Sequence, residues 1–168
     1  VGTTQSRSAD TANGAGNSTV INSTEGTLYG EISNIENDVN ANWINISDGS
    51  AVNWLFIGKE AGANLRAYLR ANNNVIVDQA FTSADSNKIA LSYKSGDIRL
   101  YVNGVKIIAV TDAFSFTVPL NQLSFGQYNG GATTSKASWK SVQVYTTALS
   151  DIEIEKLTSY TSFTAMAN

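Results

Sequence analysis

Residues 96–107, Gly-Asp-Ile-Arg-Leu-Tyr-Val-Asn-Gly-Val-Lys-Ile, constrain the fold of this chain more than any other stretch. Ile98, Leu100 and Val102 alternate with Arg99 and Tyr101; after Asn103-Gly104, Val105 and Ile107 alternate with Lys106. Alternation on both sides of Asn-Gly is the strongest local hairpin pattern. A two-residue type I′ turn needs φ > 0 at both central positions, where Asn and Gly are least strained. The segment therefore predicts a hairpin pairing 97–102 with 105–110. A lone hairpin is marginal in water, so this one predicts a larger sheet around it.

The rest of the chain supplies that sheet. Short apolar runs stand at 26–35, 42–47, 53–60, 64–71, 75–82, 87–94, 122–128 and 138–147, and each reads as a strand. Turn residues such as Asp48-Gly49, Asn72-Asn73-Asn74 and Ser95-Gly96 separate them. Many short strands at this spacing predict an antiparallel sandwich or barrel. The one proline, Pro119, falls between runs, where it removes no ladder bond. Residues 148–160 depart from the pattern. Ser150 and Glu153 have capping-box spacing, Leu149 and Ile154 hold the staple positions, and Ile154, Leu157 and Thr158 share one face, so a short helix is expected. Residues 1–18 are small and polar without periodicity and read as a lead-in, leaving 19–168 as one domain.

Composition removes several functions. A chain of 168 residues can bury roughly 70% of its unfolded surface, so it needs no staple. With no Cys, disulfides, zinc-thiolate sites and thiol nucleophiles are impossible; with no His, so are a serine-histidine triad and a His-based zinc site. A net charge of −3 offers no basic surface for nucleic acid. No apolar run reaches the roughly 18 residues of a membrane span, so no membrane insertion is expected. The opening residues lack the apolar core of a signal peptide, which predicts either synthesis inside the cell or excision from a longer protein.

Four segments carry a resemblance: 22–31 (NSTEGTLYGE), 87–104 (NKIALSYKSGDIRLYVNG), 122–126 (QLSFG) and 144–160 (VYTTALSDIEIEKLTSY). In this order and approximate spacing they resemble the laminin-G-like, concanavalin A-like domains of bacteriophage tail and other virion proteins and of bacterial surface proteins. The resemblance covers nearly the whole chain. It implies an all-β, two-sheet antiparallel jelly-roll sandwich with one short C-terminal helix near 150–160. It further implies a non-enzymatic, lectin-like module that binds a surface polysaccharide or other glycan, in a virion or extracellular setting and as a homotrimer where it serves a tail fibre. The alternatives are a structural or protein-interaction domain of a virion and a polysaccharide-degrading enzyme of the same fold.

The side chains decide among these. Glycoside hydrolysis needs two carboxyl groups about 5–5.5 Å or roughly 6.5–9.5 Å apart. Glu31 and Glu36 differ by an odd number of positions, which on one strand puts them on opposite faces; Asp38 completes that cluster. Asp151, Glu153 and Glu155 belong to the helix start, where capping and the dipole account for them. Tyr93, the nearest match to the tyrosine of a lyase, continues the inward stripe of Ile89 and Leu91. No catalytic residue is assigned. Some laminin-G-like domains hold a calcium at the sandwich rim; if any metal is held here, Asp48, Asp97 and Asp112 are the candidate ligands, although turn chemistry accounts for each. Ligand binding is assigned to Arg66, Tyr68 and Arg70, which lie opposite Leu65, Ala67, Leu69 and Ala71, and to Arg99 and Tyr101. Tyrosine rings stack on sugar C–H faces and guanidinium forks hold acidic groups, so these five residues predict a surface for an acidic glycan.

Overall fold

The computed structural model describes residues 16–33, 42–60, 64–126 and 137–159. Among the described residues ten strands and one helix follow in chain order: β1 Glu25–Ser33, β2 Asn42–Ser47, β3 Trp54–Lys59, β4 Leu65–Ala71, β5 Asn74–Phe81, β6 Ser86–Lys94, β7 Ile98–Val102, β8 Val105–Val110, β9 Gln122–Phe125, β10 Ser138–Tyr145 and α1 Asp151–Ser159. They form two five-stranded antiparallel sheets, in the orders β10-β1-β6-β7-β8 and β5-β4-β3-β2-β9. This is the two-sheet jelly-roll sandwich with a C-terminal helix. Of the polar lead-in, residues 1–15 lie outside the described residues, as do Glu36, Asp38 and the ends of the runs at 26–35 and 122–128.

Alternation sets the core. One face of each strand is apolar, and the two apolar faces meet in a single cluster. Leu28, Ile32, Ile89, Leu91, Tyr93, Ile98 and Leu100 come from one sheet; Ile44, Ile46, Leu55, Ile57, Leu65, Ala67 and Leu69 come from the other. Tyr93 sits within this core, and its hydroxyl donates to the carbonyl of Asn22 at 2.7 Å. Burial raises the Tyr93 phenol above its usual range. A phenol so placed is a packing residue, in agreement with the inward stripe.

The turns follow their residues. Val102 pairs with Val105 across Asn103 and Gly104, whose φ values of 50° and 81° give the expected two-residue turn. Asn72 and Asn73, at φ 50° and 66°, make the same turn between β4 and β5, where Ala71 pairs with Asn74.

The helix starts where its box predicts. The Ser150 N–H donates to Glu153 Oε2 at 2.8 Å, and the Glu153 N–H returns to Ser150 Oγ at 3.4 Å. Ile154 and Leu157 pack on Tyr29, Ala90 and Tyr101, with Leu149 beside them. Since Ala90 and Tyr101 alternate with core residues on their strands, α1 covers the outer face of the β10-β1-β6-β7-β8 sheet. Among the described residues no helix is long and apolar enough to cross a membrane.

Candidate functional site

The outer face of the other sheet carries no helix among the described residues. Its strand register dictates what stands there. Trp43 lies opposite Gly58, Asn45 opposite Phe56, and Ser47 opposite Trp54. On the next strand Arg66 faces Gly58, Tyr68 faces Phe56, and Arg70 faces Trp54. Asp78 lies opposite Tyr68 on β5. These positions alternate with the core-facing leucines and isoleucines, so all of them project outward.

Four rings gather at the centre. Trp43 and Phe56 are 4.4 Å apart by ring centroids, Trp54 and Phe56 5.1 Å, Phe56 and Tyr68 5.4 Å, and Trp54 and Tyr68 5.1 Å. Trp43, Trp54 and Phe56 expose 9%, 8% and 1% of their surface, while Tyr68 is half-buried. The three buried rings are thus a floor, and Tyr68 is the ring that a ligand can meet. Aromatic contacts in this range favour fixed ring orientations, which makes the floor rigid.

The two arginines beside Tyr68 differ. Arg66 Nε and Nη2 donate to the two Asp78 carboxylate oxygens at 2.6 and 2.5 Å, and Nη1 pairs with Glu60. The hydrogen bond with Asp78 raises the Arg66 pKa. Its guanidinium also lies 5.6 Å from the Tyr68 centroid. With its fork occupied by two carboxylates, Arg66 buttresses Tyr68 and is not available to hold an anion. Arg70 has no carboxylate partner among the described residues, and its buried Nε lacks any hydrogen-bond partner. Two other orphaned atoms share this face, the Trp43 indole Nε1 and the Asn45 Oδ1; the Asn45 amide nitrogen donates to the carbonyls of Ser124 and Gly126. Buried polar atoms are nearly always paired in native proteins, with protein or with ordered water.

Arg99 and Tyr101 require a correction. They were expected to join Arg66, Tyr68 and Arg70 in one surface, but β4 and β7 belong to different sheets. Tyr101 is 3% exposed beneath α1. Arg99 pairs with Asp97 at 2.9 Å and with Asp151 of α1 at 3.1 Å. Alternation shows that a side chain leaves the core; it does not show whether solvent or another element waits outside. These two residues dock the helix.

The aspartates at the turns are likewise engaged. Asp48 Oδ1 accepts from the Ser50 N–H at 2.8 Å and from the Ser50 hydroxyl at 2.6 Å, and Oδ2 accepts from the Asn53 amide at 2.8 Å. Asp97 is bound to Arg99, and Asp112 offers its backbone carbonyl to the Gly96 N–H at 3.1 Å. Among the described residues no group of three or more His, Cys, Asp or Glu side chains is placed to hold a metal ion, so Asp48, Asp97 and Asp112 are not brought together as one side-chain cluster.

The burial of both faces of β3 was legible in sequence; the assembly of its rings with Trp43 and Tyr68 was not. Trp54 and Phe56 alternate with Leu55 and Ile57 and so must share a face, but nothing local shows that Tyr68 stands opposite Phe56.

Solved structures similar to the chain share this architecture. The CBM40 of a Ruminococcus gnavus IT-sialidase, bound to α2,3-sialyllactose, is 19% identical with a TM-score of 0.67; the match covers 91% of this chain and 97% of that one. Domain 4 of AbnA, a GH43 extracellular arabinanase from Geobacillus stearothermophilus, in complex with arabinotriose, is 14% identical with a TM-score of 0.66, covering 83% and 69%. A heptameric SAP-like pentraxin from Limulus polyphemus is 14% identical with a TM-score of 0.62, covering 95% and 80%. At these identities the likeness is one of fold. No curated protein sequence matches the chain. Residues 11–155, most of its length, match the laminin G-type family described as the Concanavalin A-like lectin/glucanases superfamily, and the chain belongs to that family.

Proposed function

We propose that this chain is a non-catalytic glycan-binding module whose seat is the outer face of the β5-β4-β3-β2-β9 sheet. The observation that carries the reading is the juxtaposition of a rigid aromatic floor, a partly open Tyr68 and an unpaired Arg70 on the sheet face that α1 leaves free. A pyranose presents C–H groups to an aromatic ring and hydroxyls to polar atoms at its edge. Two of the similar structures are a sialidase module with sialyllactose and an arabinanase domain with arabinotriose, which supports a sugar over other ligands. Arg70 is the remaining half-buried cation on this face, and a guanidinium fork takes a carboxylate or sulfate in two bonds.

No catalytic step is assigned. Asp151 is held in ion pairs, Glu153 closes the capping box, and Tyr93 is a core residue. The module is read as part of a phage tail or other virion protein acting outside the cell on a host surface polysaccharide, working as a homotrimer. The four segments that resemble such domains support this setting. Sizing in solution tests the trimer.

The binding test uses an acidic polysaccharide with the parent, Tyr68→Ala and Arg70→Ala at low and high salt. Each substitution is expected to weaken binding about tenfold or more, as for a central contact residue. Salt should weaken the parent's binding and affect Arg70→Ala less. Unchanged affinity in both variants would overturn this seat. Absence of binding across a glycan array would favour a protein-interaction role, and release of new reducing ends from a bound polysaccharide would restore the enzymatic alternative.

A further inference from the structure

A cleft of about 380 Å³ opens at the rim of the sandwich, between the β4–β5 turn and the segment that follows β8. Its lining combines the apolar Ala71, Ile76, Ala113 and Phe114 with the polar but uncharged Asn72, Asn74 and Ser115. We infer that this cleft is a second ligand site, separate from the Tyr68–Arg70 face, and that it takes a neutral sugar ring.

Three observations lead there. First, the walls are fixed before any ligand arrives. The Asn72 amide donates to the carbonyl of Ser115 at 2.8 Å, and its oxygen accepts from the Thr117 N–H and hydroxyl at 3.0 and 2.5 Å. The Phe114 N–H donates to Ser95 Oγ at 3.0 Å, and the Phe114 ring packs T-shaped on Phe116 at 5.3 Å. A site held in this way loses little entropy on binding. Second, the rim keeps unused hydrogen-bonding capacity. Asn74 gives one long bond, 3.3 Å to the Asn72 carbonyl, and both Asn74 and Ser115 are exposed, so sugar hydroxyls can replace the water at their polar groups. Third, the lining contains no charged side chain. An anion or cation would find no counter-charge, and a purely apolar ligand would strand the amide and hydroxyl. A pyranose fits both halves: its C–H face covers Phe114, and its hydroxyls meet Asn74 and Ser115. The volume falls within the roughly 300–1,000 Å³ of small-molecule sites.

The probes are the methyl α-glycosides of glucose, galactose and mannose, added singly to the full chain. Side-chain amide signals of Asn74 and ring signals of Phe114 are followed by NMR. At least one glycoside should shift both in a saturable way; in the folded protein Phe114→Ala should abolish the shift at Asn74, and the exposed substitution Asn74→Ala the shift at Phe114. No saturable shift with any of the three, or shifts that survive both substitutions, would overturn the inference. Shifts confined to Tyr68 and Arg70 would also overturn it while leaving the sheet-face reading intact. Shifts at Asn74 in a chain that binds no acidic polysaccharide would do the reverse.

Discussion

Gly104 answers to two constraints at once. Its φ of 81° strains any residue with a Cβ, and a Cβ built there would collide with the Ser159 side chain of α1. Gly104→Val is therefore expected to cost on the order of 1 kcal/mol or more, measured by thermal or denaturant melting. A variant that melts like the parent would show that the hairpin tolerates a different turn. Tyr93→Phe keeps the ring but removes the bond to the Asn22 carbonyl, and roughly 1 kcal/mol of stability should go with it. Residues of this kind were legible in the sequence because their constraint is local: Asn-Gly demands a particular φ, and the inward stripe places Tyr93. Arg66 was not, because its role depends on Asp78, twelve positions away on a neighbouring strand, and on Glu60. A guanidinium that reads as a fork for ligand in one dimension is already filled in three.

The helix illustrates the same limit among elements. Its start was legible from Ser150, Glu153, Leu149 and Ile154, and Ser150→Ala should destabilise the protein by roughly 1 kcal/mol through loss of the cap. Its destination was not, because a nine-residue helix of low amphipathicity does not name the sheet it will cover. Ion pairs secure the docking. Lys106 foremost, and Arg99 with it, hold the Asp151 carboxyl down at about 2. The folded-state value lies below the unfolded one, so this contribution is present above the ordinary carboxylate range and is lost as pH falls towards 2. The melting-temperature advantage of the parent over Asp151→Asn should accordingly be full at neutral pH, shrink below about pH 4 and vanish near pH 2. An advantage independent of pH would mean that Asp151 acts through packing and not through charge.

At the level of the molecule, the two sheets are built from strands far apart in sequence. β1 pairs with β10, so that Thr27 meets Tyr145, and β2 pairs with β9. Strand positions and inward faces could be read because alternation is a property of each strand; strand order could not, because it is settled by how the runs close over a shared core. That order divided the five expected binding residues into a set on the sheet face without the helix and a set beneath α1. A chain ending at residue 137 would lack both β10 and α1. It would bare the edge of β1 and uncover Tyr29, Ala90 and Tyr101. Such a chain is expected to aggregate or to lose its cooperative melting transition. A soluble fragment with the parent's transition would show instead that the remaining strands suffice.

The contact between the hairpin and the helix also sets a chemical clock. Asn-Gly is the dipeptide most prone to deamidation, because the glycine nitrogen can attack the asparagine side-chain carbonyl carbon, break its bond to the amide nitrogen, which leaves as ammonia, and close a succinimide. Here both reactants are held. Asn103 Oδ1 accepts from the Lys88 N–H at 2.8 Å, and the Gly104 N–H donates to Thr158 Oγ1 at 3.1 Å. Deamidation requires the Gly104 nitrogen to be freed from Thr158, which α1 carries, and lifting of the helix frees it. Ageing at Asn103, followed by mass spectrometry over weeks, should then record how often the helix leaves its sheet, running faster in Thr158→Val than in the parent and fastest in chains whose helix cannot dock.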